Sequence, residues 1–211
     1  MSHPATINAK ITPMATPHFN LLDPHTPLVF ADGSAMYQQL GQRYRQHARG
    51  YFILAPSGAG KTHFVERQTE PHWLDGDELW CLANAHPAGS WWLDGIETIM
   101  EIDRRCDVIT AQAKKLGFWI VGASNVWLKP DAIVLPHWST HKRYITHREH
   151  HNYDGGATTA QLKGVLNHRR WIDKWAKQGV PKFHSVAEAA AHLASQAQPT
   201  SVVAGTAGPR S

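Results

Sequence analysis

Apolar positions along the chain change period several times, and each change marks an element. Three short, unbroken apolar runs, 51–55, 118–123 and 132–135, stand between turn residues; runs of that kind suit strands buried on both faces of a parallel sheet. Elsewhere the spacing is three to four. It runs through Met36, Tyr37, Leu40, Tyr44 and Ala48, then through Leu93, Ile96, Ile99, Cys106, Ile109, Ala113 and Leu116, with Gly117 closing that long helix. Leu162, Val165, Leu166, Ile172 and Trp175 lie on the inner face of a helix predicted over 158–177. Ser185-Val186-Ala187-Glu188 is a capping box that opens the last helix, whose apolar face is Val186, Ala189, Ala190 and Leu193. Residues 73–79 predict one more short strand, with Asp75 and Asp77 at its C-terminal end. Strands alternating with helices predict an α/β domain of three layers around a mostly parallel, five-stranded sheet. It spans 28–196, between an irregular arm at 1–27 holding five prolines and a tail at 197–211 of disordered composition.

The first apolar run breaks into Ala55-Pro56-Ser57-Gly58-Ala59-Gly60-Lys61-Thr62, and a helical segment follows. Strand, glycine-rich turn and helix in that order are the context a phosphate-binding P-loop requires, here with Ala55 where the first glycine usually stands. Backbone amides of Ser57, Gly58, Ala59, Gly60, Lys61 and Thr62 then wrap a phosphate, Lys61 reaches the β/γ oxygens of ATP, and the Thr62 hydroxyl ligates Mg²⁺. Asp75 and Asp77 arrive at the same sheet edge, since open α/β sheets bind ligands beyond the carboxyl ends of their strands. The plainer reading of Asp75-Gly76-Asp77 is a turn, which needs no second aspartate. The run 118–123 ends in Gly122-Ala123-Ser124-Asn125 with no acid, which disfavours a switch GTPase or motor ATPase.

Composition narrows the partners. The chain has 211 residues and a formal net charge of +4, and between 141 and 184 nine Lys/Arg face three acids. That basic third favours an anionic partner such as a nucleic acid, and Trp91-Trp92 reads either as a stacking platform for bases or as core. His137, His141, His147, His150 and His151 match no paired metal-ligand spacing and read as a mobile, basic, phosphate-facing segment rather than a zinc site. Cys81 and Cys106 read as idle thiols of a reducing compartment. No run approaches the about 18 apolar residues of a membrane span and no signal-type head is present, so a cytoplasmic protein is expected.

Ser57-Gly58-Ala59-Gly60-Lys61-Thr62 followed by Leu74-Asp75-Gly76-Asp77-Glu78-Leu79 resembles the small P-loop kinases, the group that holds gluconate, adenylylsulfate, zeta-toxin-like and polynucleotide kinases. The resemblance implies an ATP- and Mg²⁺-dependent phosphotransferase with a helical lid. On that pattern Asp77 takes the base position, Asp75 a supporting or Mg²⁺-side position, and Arg143 or Arg148 the lid. A nucleotide or nucleic-acid hydroxyl is the acceptor expected, the 5-hydroxymethyluracil DNA kinases of phages being one such case by analogy. A small metabolite or nucleoside monophosphate is the alternative acceptor, and a nucleotide-binding module that is not a kinase is the alternative class.

Overall fold

A computed structural model of the chain describes residues 36–70, 72–83, 85, 91–151 and 156–197. The predicted arm at 1–27 and the tail from 198 onward lie outside them. The elements follow in the order α1 Met36–Arg43, β1 Tyr51–Leu54, α2 Lys61–Glu66, β2 Trp73–Asp75, α3 Gly76–Leu82, α4 Ile96–Lys115, β3 Trp119–Gly122, β4 Ala132–Val134, α5 Trp138–His150, α6 Leu162–Ala176, β5 Lys182–Phe183 and α7 Val186–Ala197. The five strands form one sheet in the order β2-β3-β1-β4-β5, and every pairing is parallel.

Strand alternation builds the layers, because successive side chains leave opposite faces of a sheet. In β1, Phe52 and Leu54 join a core with Leu40 of α1, Trp80 of α3, Cys106 and Ile109 of α4, and Ile172 of α6. Tyr51 and Ile53, on the other face, pack with Val186, Ala189 and Leu193 of α7, with Phe64 and Val65 of α2 against them. All four β1 side chains are fully buried, as expected of a central strand covered on both faces. Trp80 lies so close over β3 that a Cβ at Gly122 would stand 2.3 Å from its ring, and its indole N–H donates to Thr110 Oγ1 at 2.9 Å.

Three expectations change in detail. The second strand stops at Asp75, and α3 begins at Gly76, because the Asp75 carboxylate caps the new helix by accepting from the Asp77 amide at 3.0 Å. The 93–116 periodicity splits into a 3₁₀ turn, Trp91–Leu93, and α4; Leu93 and Ile96, 64% and 68% exposed, reach beyond the sheet instead of joining its core. The histidine-rich stretch is not a loose segment: Trp138–His150 is the helix α5, anchored by buried His141 and Ile145. β5, only two residues long, has no pattern to announce it.

Candidate functional site

The sheet order places β1 at its centre between β3 and β4; from β1 the chain crosses to β2 at one edge, and from β4, on the other side of β1, it crosses to β5. At such a switch point the loops diverge and leave a crevice beyond the strand ends. A cleft of about 2020 Å³ lies there, lined by the 57–62 turn, α3, the 91–93 turn, α4, α5, α6 and the start of α7.

The turn reverses tightly through two residues in the left-handed region, Gly58 at φ 80° and Gly60 at φ 87°, where a side chain is disfavoured. At Gly58 space is also short, since a Cβ would meet Ile145 Cγ1 of α5 at 2.9 Å. No side chain caps the start of α2, so its first amides keep their donors. Lys61 is only 6% exposed, and its ammonium approaches the Pro56 carbonyl at 3.5 Å. Thr62 Oγ1 donates to Asp75 Oδ2 at 2.9 Å. Buried Asp75 thereby ties the turn to the start of α3, and burial, with Asp77 beside it, raises its carboxyl above the ordinary value despite Lys61. Asp77, exposed in the first turn of α3, opens onto the cleft.

Two helices hold the turn from the other side. His141 Nε2 lies 2.8 Å from the Ser57 carbonyl, and Arg169 Nη1 lies 2.9 Å from His141 Nδ1. Arginine only donates, so Nδ1 accepts and Nε2–H donates to Ser57; His141 is neutral, with burial first and then the Arg169 and Lys61 charges lowering its pKa. The Ala157 amide donates to Ser57 Oγ at 3.0 Å. Along α5, Tyr144, His147 and Arg148 line the cleft, whereas Arg143 is exposed outside its lining. The candidate lid residues therefore part company: Arg148 stands at the site and Arg143 does not.

Two cleft residues carried no sequence signal as a pair. His168 of α6 bonds the Ala123 backbone and is pushed down to about 4 by burial and the Lys61 charge. Asp103 of α4, half-buried and hydrogen-bonded by Ser124, is pushed up to about 7 by burial and by Asp107. Asp107 accepts from the amides of Val126, Trp127 and Leu128 at 2.8, 2.7 and 3.1 Å and so shapes the loop after β3. Asp103, Asp107 and Thr110 recur at helical spacing beside the apolar stripe, which is the trace they leave in the sequence. Arg43, Arg45 and Arg49 pair with Glu78, Glu70 and Asp131 and lend no charge to the cleft.

Chemically, the arrangement offers a curled backbone whose helix start carries no side-chain cap, a buried ammonium, and a hydroxyl backed by a carboxylate beside a second, accessible carboxylate. Among the described residues no group of three or more His, Cys, Asp or Glu could hold a metal ion by itself, and no helix is long and apolar enough to cross a membrane. The Cys81 thiol, raised by burial and by Asp77 and Asp75, is not poised as a thiolate nucleophile. Comparison with protein-family models, curated proteins and solved structures found no match for the chain.

Proposed function

We propose that the chain is an ATP-dependent P-loop kinase that transfers the γ-phosphoryl group to a hydroxyl of a nucleotide or nucleic-acid acceptor. One observation carries the reading: buried Lys61, Thr62 on Asp75, and cleft-facing Asp77 meet at the end of the central strand. The turn amides and Lys61 bind the β- and γ-phosphates, and Asp77 orients the acceptor hydroxyl and takes its proton. Thr62 Oγ1 and the Asp75 carboxylate are hard oxygen donors of the kind that suits Mg²⁺, a cation that takes few protein ligands beside phosphates and water and that neutralises charge on the transferred group. Arg148 and Lys163 line the wall on α5 and α6, where a lid would supply charge. Lys142, Arg143, Arg170, Lys174 and Lys177 are exposed on the same two helices or just beyond, which favours a polyanionic acceptor such as DNA.

The test is γ-labelled ATP with Mg²⁺ offered to nucleotides, sugars, and plain or hydroxymethylated DNA. Label is expected in an acceptor. Label in free phosphate alone would favour the reading as a non-kinase NTPase. Lys61→Ala is expected to lower transfer by about 10²–10³-fold with the fold retained, and Asp77→Asn to lose transfer while still binding ATP. Near-normal turnover of Lys61→Ala would overturn the assignment.

A further inference from the structure

Three buried side-chain polar atoms have no hydrogen-bond partner among the described residues: His47 Nε2, His72 Nδ1 and Tyr51 Oη. Leaving such a group unpaired costs free energy, and native proteins do so rarely. Two of the three belong to neighbouring imidazoles. The topology brings these together, because every strand pairing is parallel and the residues that precede the strands gather at their amino ends, opposite the cleft. His47 comes before β1 and His72 before β2. Between those strands lies β3, and both rings pack against its first residue, Trp119. Their centroids are 5.4 Å apart.

Neighbouring structure fixes both rings. His47 stacks on the Trp119 indole at 3.7 Å with 11° between the planes, and its amide donates to the Gly117 carbonyl at 2.9 Å. Gln68 fastens the loop before β2, its side chain accepting from the Trp73 amide and donating to the Trp73 carbonyl, both at 2.8 Å. His72 Nε2 lies 2.9 Å from Glu70 Oε2. A carboxylate accepts, so in the neutral ring Nε2 carries the proton and Nδ1 keeps a lone pair. Metal-ligating histidines are oriented in this way, the second ring N–H donated to a carboxylate. His47 is neutral too, pushed down to about 4 by burial and then by His72 and Arg45; the Arg45 charge is countered by Glu70 at 3.8 Å. Two imidazoles on one tetrahedral centre, with metal–nitrogen bonds of about 2.0–2.1 Å, have centroids about 5 Å apart. We propose that His47 Nε2 and His72 Nδ1 bind one divalent transition-metal ion of the zinc or copper class, with Glu70 orienting His72 and water completing the shell. Imidazole suits such ions, whereas Mg²⁺ takes oxygen ligands, so this site is separate from the phosphate chemistry of the cleft. The ion clamps the segment before β1 to the segment before β2 across β3, and the inference does not rest on the kinase reading.

The experiment melts the full chain, stripped of metal by a chelator, with and without Zn²⁺, and measures Zn²⁺ binding by calorimetry. Tm is expected to rise by about 5 °C at a Zn²⁺ concentration about 100 times the Kd. His47→Phe, which keeps the stack on Trp119, and His72→Phe should each abolish the rise, each variant being judged against its own metal-free melt. Glu70→Gln should weaken Zn²⁺ binding by about tenfold. His151→Ala, which breaks the exposed histidine pair stacked at 4.1 Å on α5, should leave the rise unchanged. With Cu²⁺ in place of Zn²⁺, the electron paramagnetic resonance of the parent should show two imidazole nitrogens. A Tm indifferent to Zn²⁺ leaves the two nitrogens to water and overturns the proposal. A rise that survives both His47→Phe and His72→Phe places the metal on other histidines and overturns it equally, and full affinity in Glu70→Gln overturns the part given to Glu70.

Discussion

Asp103 shows how one side chain can be set by its surroundings against its own chemistry. An ordinary aspartate is ionised at neutral pH, yet burial on α4 and repulsion from Asp107 hold this one near 7. A carboxyl whose folded pKa lies above its unfolded value stabilises the fold fully below the unfolded pKa and loses that contribution as pH rises through the folded one. For Asp103 the loss falls between about pH 4 and pH 7. Asp103→Asn should therefore melt above the parent at about pH 8 and lose that advantage near pH 4, with about 2–4 °C for each kcal/mol in a chain of this size. A gap in Tm independent of pH would show that Asp103 does not titrate in that window. Asp75 illustrates the opposite economy, one carboxylate serving both the Thr62 hydroxyl and the Asp77 amide.

At the scale of elements, α5 has a role its composition does not announce. Basic and histidine-rich, it reads as a mobile, phosphate-facing segment, but His141 and Ile145 make it a brace seated on the 57–60 turn. Arg169 of α6 locks the brace through His141 Nδ1 and the Pro136 carbonyl, at 2.9 and 2.8 Å. His141→Ala would strand a half-buried guanidinium donor and the Ser57 carbonyl at once, at about 1–3 kcal/mol. The expected result is a lower Tm and a raised KM for ATP, with both recovered in part by His141→Gln, whose amide can accept from Arg169 and donate to Ser57. Equal loss in the two variants would count against the brace. The α3 boundary also belongs to this scale: 73–79 reads as one strand, and Asp75 ends it because its Oδ1 caps α3 through the Asp77 amide while its Oδ2 holds Thr62.

Across the whole molecule, neutral histidines sit at both ends of the sheet. His47, stacked on Trp119 at 3.7 Å with its Nε2 buried and unpartnered among the described residues, is pushed down to about 4, as is His168 in the cleft, and His141 is lowered too. For such groups stability is present above the ordinary value near 6.5 and is lost as pH falls through the folded pKa. Unfolding followed by tryptophan fluorescence should thus set in between about pH 6.5 and 4, and His47→Phe, which keeps the stack and removes the proton, should shift it to lower pH. An unchanged acid midpoint would assign the transition elsewhere. The sequence by itself determined the alternation of strands and helices, the glycine-rich turn on the first strand and the acids that follow it, because period, turn chemistry and capping are local. Tertiary structure alone decided the strand order, the burial of Lys61, the separation of Arg148 from Arg143, the brace of His141 and the place of Asp103 in the cleft. Each of those depends on which distant faces meet, and neither the spacing nor the identity of neighbouring residues carries that information.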